Sequence, residues 1–245
     1  MNNRRNFLTA AGVLAVSSLS GAAAQGTKGA ASSSGANACL PFDNARQAST
    51  TPDAALTLLK DGNLRFVSGK SVNCDLLAQA KATAGGQAPF AAVLGCIDSR
   101  VPPELVFDQR IGDIFTARVA GNFVNTDITG SLEFATKVEG AKLIVVLGHT
   151  ECGAVKGAVD DAKLGNLTAT LANIRPAVLK AKGVEGPQDS KNKKLVQVVA
   201  DQNAKDAAAM LASKSEVLRE LMKEGKLKIV AAMYDLSNGR VSWFS

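Results

Sequence analysis

The sequence predicts an α/β fold: a mostly parallel central β-sheet with an antiparallel edge strand, flanked by helices. Three observations carry this. The apolar runs FAAVLGC (90–96), KLIVVLGH (142–149) and LKIVAAMYD (227–235) are continuous rather than alternating, which marks strands buried on both faces. Stretches with helical spacing separate them, and strands separated by helices pair in parallel beneath covering helices. Apolar residues make up 46% of the 245-residue chain, while aromatics reach only 4%. Ala, Val, Leu and Gly dominate, which suits helices packed closely over a sheet and is enough for one full domain with its own core.

The elements follow in order. Residues 1–24, MNNRRNFLTAAGVLAVSSLSGAAA, place Arg4-Arg5 before an apolar run, Phe7 to Leu19, and a small-residue stretch, Ala22 to Ala24. That is the pattern of an export signal. Thr9, Ser17 and Ser18 interrupt the run, which is too short and polar to span a bilayer stably. The Arg-Arg-x-Phe-Leu string resembles a twin-arginine signal, so cleavage after Ala24 and a periplasmic location are expected. Residues 25–50, rich in Gly, Ala, Ser, Asn and Gln, read as a flexible leader or as an arm that lies on something else. Cys39 falls there and Cys74 in an expected loop; both pairing and free thiols stay open.

The folded domain is expected over 51–245. Pro52 and Asp53 open a helix, with Ala55, Leu56, Leu58 and Leu59 at helical spacing. The 90–96 strand follows, then a second short strand at 113–119 (DIFTARV) and a helix at 128–139. The 142–149 strand leads to helices at 153–163, 167–182 and 191–224, the last with a break near Ser213. After the 227–235 strand, an Asn238-Gly239 turn leads into RVSWFS, an antiparallel edge strand.

The formal net charge is +6, and Arg4 and Arg5 supply two of those charges. The lysines of 180–194 and 214–228 lie among acids with no interleaved aromatics. They read as solvated helical surface, not as a nucleic-acid face. No GxGxxG fingerprint and no phosphate-binding GxxxxGK[ST] loop is present.

In open α/β sheets, ligands gather beyond the carboxyl ends of strands. Cys96 and His149 both stand at such ends. His149, the single histidine, lies three residues before Cys152 at a strand-to-helix junction, where one helical turn brings both to one side. Two thiolates and an imidazole suit zinc, and three protein ligands leave a fourth position open. Spacing alone leaves three readings: inert buried thiols, a closed structural zinc with Asp98 as fourth ligand, or an open catalytic zinc. A redox pair is disfavoured because no Cys-x-x-Cys occurs. In an extended segment, alternation would put Cys96, Asp98 and Arg100 on one side. Asp98 can then accept a hydrogen bond from water, and the Arg100 fork can keep it ionised.

The stretch CIDSRVPPELVFDQRIGDIFTARVAGN (96–122), followed by VVLGHTECGAV (145–155), resembles the β-class carbonic anhydrases. GNLRF (62–66), the Gln87-x-Pro before the first strand, and MYDLSNGRV (233–241) extend the likeness over about residues 51–245. Ile97 stands where the family frequently has Ser. The resemblance implies one zinc on Cys96, His149 and Cys152, with Asp98 and Arg100 as a dyad. It implies reversible hydration of carbon dioxide to bicarbonate and a proton through a zinc-bound hydroxide. It also implies a regulated form in which Asp98 takes zinc's fourth position, leaving open which ligand is present at rest. Gln87 would donate a hydrogen bond to substrate or bicarbonate, across a subunit interface, in a homodimer or homotetramer. Phe66, Phe115 and Val119 are candidates for the apolar wall of the carbon dioxide pocket. With His149 used as a ligand, the proton must leave through Tyr234, an acid or external buffer. Neither nucleic-acid binding nor stable membrane insertion after signal removal is expected.

Overall fold

The computed structural model describes residues 38–181 and 183–244. The expected export signal, 1–24, and residues 25–37 of the leader lie outside the described residues. Among the described residues the sheet has five strands: β1 Ala91–Gly95, β2 Ile114–Arg118, β3 Leu143–His149, β4 Lys228–Tyr234 and β5 Val241–Trp243. Their order is β2-β1-β3-β4-β5. The first four are parallel, and β5 is an antiparallel edge on β4. Every residue of β1 and β3 is buried, as their continuous apolar sequences require. Edge strand β2 instead alternates between sheltered and exposed positions.

From β1 the chain crosses to β2 on one side, then returns to place β3 on the other. The crevice between the carboxyl ends of β1 and β3 is therefore the topological switch point, where such sheets bind ligands. Gly95 pairs with Leu147, so Cys96 and His149 emerge at the same end of adjacent strands.

The helices are α1 Asn44–Ser49, α2 Pro52–Val67, α3 Leu76–Thr83, α4 Pro103–Val106, α5 Thr126–Glu133, α6 Gly153–Val159, α7 Gly165–Ala172, α8 Arg175–Lys180, α9 Lys193–Lys214 and α10 Glu216–Lys223. Thr51, Asp75, Asn125, Asn192 and Ser215 cap α2, α3, α5, α9 and α10, each accepting a backbone N–H of the first turn. Helix α2 covers one face of the sheet through Ala55 and Leu59, which pack with Phe90, Phe107, Val145 and Leu147. Ala204, Ala207 and Leu211 of α9 cover the other face with Leu94, Ile144 and Val146. A third cluster holds Cys96 and Cys152 together with Val155, Ile174 and Val199.

Several expected boundaries shift. The 128–139 helix is α5 continued by a π-helical turn over Phe134–Val138. The 153–163 helix stops at Val159, because Asp161 turns left-handed at φ 51°. The 167–182 helix divides into α7 and α8, with Pro176 in the first turn of α8, where its missing N–H costs nothing. The 191–224 break falls at Ser215, whose hydroxyl caps α10 and donates to Glu133.

The described part of the leader is an arm lying on its own domain. Phe42 packs on Phe90 with ring centroids 4.6 Å apart, and its N–H donates to the buried Asp113 carboxylate. Gln47 of α1 donates to the carbonyls of Pro89 and Glu139. Cys39 and Cys74 form a disulfide that ties the arm to the segment before α3.

Helix α2 and the loop after α4 meet at Gly62, where an added Cβ would stand 1.8 Å from the Phe107 carbonyl oxygen. Overpacking against backbone typically costs about 1–3 kcal/mol. Gly62→Ala is expected to lower stability by at least that much in urea unfolding; an unchanged midpoint would contradict this close packing.

Candidate metal centre and its carboxylate

Cys96 follows the last residue of β1, His149 ends β3, and Cys152 precedes α6. Between the last two, Glu151 adopts φ 56°, a left-handed turn that folds Cys152 back toward the strand end. All three side chains are buried, and their ligand atoms lie within 4.8 Å of one another. The two sulfurs are free thiols 4.0 Å apart.

His149 Nδ1 lies 2.9 Å from the Thr150 carbonyl oxygen, a contact that requires the proton on Nδ1. In the neutral imidazole this leaves the lone pair on Nε2, which is buried with no hydrogen-bond partner. Leaving such an atom unpaired costs about 1–3 kcal/mol unless something binds it. The donor set fits a tetrahedral zinc ion. Two sulfurs each about 2.3 Å from such an ion stand about 3.8 Å apart, close to the separation found.

The cysteines are not equivalent. The contact with Cys152 lowers the Cys96 thiol to about 4, helped by His149 and by the Gly121 N–H, which donates to Cys96 Sγ at 3.3 Å. The same contact with Cys96, together with deeper burial, pushes Cys152 up. The asymmetry favours the thiolate form of Cys96 over that of Cys152. Buried Asn203 of α9 donates to the Gly121 carbonyl at 2.8 Å and so orients the peptide segment that faces the sulfur.

Asp98 sits beside this cluster. Its Oδ2 is 3.9 Å from His149 Nε2. Arg100 grips the carboxylate three times: Nε to Oδ1 at 2.9 Å, Nη2 to Oδ2 at 2.7 Å, and the backbone N–H to Oδ1 at 3.0 Å. That grip holds Asp98 well below the usual carboxylate range. Asp98 is paired with Arg100 in this arrangement. Asp98 is not among the three converging ligand atoms.

The other candidates lie elsewhere. Gln87 is exposed ahead of β1, at the opposite end of that strand from Cys96, so the fold does not bring it to its own chain's cluster. Phe66 packs on the α2 side of the sheet, and Phe115 and Val119 on the α9 side. None of the three belongs to the cluster containing Cys96 and Cys152. Tyr234 is buried, and burial raises its phenol, which makes it a poor proton relay near neutral pH. One residue was missed. Arg118, at the end of β2, donates from Nε to the Cys96 carbonyl at 2.8 Å and from Nη2 to the Asp98 carbonyl at 2.6 Å. The only sequence signal was its place in the Gly112-Asp113-x-Phe-x-x-Arg run, which names no partner.

A Cys-His-Cys cluster that could hold a metal ion, with a paired carboxylate beside it, thus sits at the switch point of a parallel sheet. A family model described as carbonic anhydrase matches residues 91–241. Carbonic anhydrase 2 of Mycobacterium tuberculosis is 36% identical over 197 residues, covering 78% of this chain and 92% of the relative. The carbonic anhydrase of Pseudomonas aeruginosa is 30% identical over 187 residues, covering 74% and 84%. Among solved structures, a tetrameric β-carbonic anhydrase of Sordaria macrospora matches with TM-score 0.61 and 26% identity, covering 67% of this chain and 85% of that one. A β-carbonic anhydrase of Aspergillus fumigatus gives 0.61 and 26%, covering 79% and 90%. The chain belongs to the carbonic anhydrase family, in its β class, and is an enzyme of carbon dioxide hydration.

The Asp98 shift carries a pH consequence. A carboxyl held below its ordinary 3.8 contributes stability above that pH and loses it as pH falls through the folded-state pKa. Arg100→Gln removes the grip, so its stability deficit is expected at about pH 6 and is expected to shrink toward about pH 2. A deficit constant over that range, followed by urea unfolding, would mean the pairing does not set the shift.

Proposed function

We propose that this enzyme hydrates carbon dioxide at one zinc ion held by Cys96, His149 and Cys152, with Asp98 and Arg100 as the working dyad. The observation that carries this is the buried, unpartnered His149 Nε2, facing two free sulfurs and lying 3.9 Å from Asp98 Oδ2. Zinc, when bound at such a site, acts as a Lewis acid and lowers the pKa of a water molecule from about 15.7 toward 7. Thiolate ligands donate more charge than imidazoles and weaken that effect, which favours activity on the alkaline side. Asp98, kept ionised by Arg100, can only accept. Its Oδ2 takes a hydrogen bond from the reacting water and turns the water's lone pair toward the carbon of carbon dioxide. The Thr150 carbonyl holds the His149 proton on Nδ1 and keeps Nε2 free as a donor atom. His149 is the single histidine of the chain and Tyr234 is a poor relay, so the product proton leaves through an acidic side chain or external buffer.

The working unit is a homodimer or larger assembly. Edge strand β2 carries Phe115, whose ring meets that of Phe134 at 6.4 Å, and Phe134 is 48% exposed. An apolar edge of this kind suits a second copy of the chain. Gln87, remote from its own cluster, then serves the site of the neighbouring copy. Export to the periplasm is the remaining part of the proposal. The Cys39–Cys74 disulfide supports it, since such bonds persist in oxidising compartments. Among the described residues, no helix is long and apolar enough to cross a membrane.

Metal analysis with stopped-flow hydration tests the site. Wild type is expected to carry one zinc per chain, and Cys152→Ala to lose both zinc and hydration. Asp98→Asn is expected to retain zinc and lose about 100-fold or more in kcat/KM; full activity would remove Asp98 from the mechanism. Phe134→Glu is expected to sediment as a monomer, and an unchanged assembly would place the interface elsewhere.

A further inference from the structure

We propose that Arg118 is a positioning residue for carbon dioxide hydration, holding the Cys96–Asp98 backbone so that the Asp98 carboxylate stays over His149 Nε2. The inference rests on the role proposed for Asp98 and goes beyond it. The β1–β2 ladder runs out just before the site. Gly95 pairs with Arg118, and the Gly95 carbonyl accepts the Val119 N–H at 3.1 Å. From Cys96 onward the chain leaves the sheet. Packing does not fix the middle of this segment either, because Ile97, between buried Cys96 and partly buried Asp98, is 59% exposed. Hydrogen bonds must do so, and Arg118 supplies two of them.

Its side chain turns back over the end of β1. Nε reaches the Cys96 carbonyl and Nη2 the Asp98 carbonyl, at 2.8 and 2.6 Å. Two carbonyls two residues apart converge on one planar fork, which sets their spacing as a single-point lysine donor would not. The Asp98 carbonyl also accepts the Val101 N–H at 3.0 Å. Asp98 is therefore held by two arginines with separate tasks. Arg100 grips the carboxylate, and Arg118 grips the backbone. The 3.9 Å gap between Oδ2 and Nε2 depends on both. Cys96 has independent restraint, through its Sγ contacts with Gly121 and Cys152. Loss of Arg118 then displaces Asp98 more than the metal ligand.

The test is a double-mutant cycle on the zinc-loaded, full-length enzyme, with Arg118→Met, Asp98→Asn and the pair. Zinc per chain, melting temperature and kcat/KM for carbon dioxide are measured for each. Arg118→Met is expected to keep one zinc per chain and to lose about 10- to 100-fold in kcat/KM, the usual cost of a misplaced reacting geometry. That loss is expected to vanish in the Asp98→Asn background, because a residue acting through Asp98 has nothing left to position. Arg118→Lys, with one donor point, is expected to recover part of the activity, and it is read by the same criteria if Arg118→Met does not fold. Loss of zinc, an unchanged kcat/KM, or losses that multiply in the double variant would overturn the proposal. Full activity of Asp98→Asn alone would overturn the dyad beneath it, a result distinct from a failure at Arg118.

Discussion

The parallel register between β1 and β3 is the constraint on which the site depends. Gly95 pairs with Leu147, and the two strands lie side by side in the fully buried middle of the sheet. A slip of one residue would send every side chain of the shifted strand to the other face, carrying His149 away from Cys96. Polarity alone would not forbid the slip, since both faces of these strands are apolar; the close packing of particular side chains against the helices on either face does. The geometry of the Cys-His-Cys set is thus inherited from core packing.

Around that frame, polar contacts make the fine adjustments. The Thr150 carbonyl sets the His149 tautomer, Asn203 orients the Gly121 segment toward the Cys96 sulfur, and two arginines divide the task of holding Asp98. Each uses a donor or acceptor from a different element: the β3 end, α9, β2 and the β1 loop. The site is held by elements that converge there, not by any one strong contact.

The strands, their mostly parallel pairing and the Cys-His-Cys set were legible because each has a local signature: a continuous apolar run, or two ligand types three residues apart at a strand end, although a left-handed turn at Glu151, not the expected helical turn, brings those two together. Helix ends were less so. Asp161 stops α6 through a backbone angle, and the hydroxyl of Ser215 caps α10, neither of which alters the hydrophobic pattern. The arm was half legible, since Gly, Ala and Ser around it dilute the single buried anchor, Phe42. Arg118 was not legible at all. Its partners are main-chain carbonyls, and only the strand register says which carbonyls an arginine on β2 will meet. Gln87 shows the opposite limit, because closeness in sequence to β1 does not reveal that the strand carries Cys96 away to its far end.

The four cysteines place opposite demands on the same chain. Cys39 and Cys74 are joined, while Cys96 and Cys152 remain thiols although their sulfurs are only 4.0 Å apart. An oxidant that serves the first pair threatens the second, since its sulfurs are close together and the Cys152 and Gly121 contacts hold the Cys96 thiol below its ordinary range. Under the zinc and export readings proposed above, the two pairs call for an order of maturation: the ion occupies the inner pair before oxidising equivalents reach it. A late disulfide at the outer pair would then record that the chain had already folded.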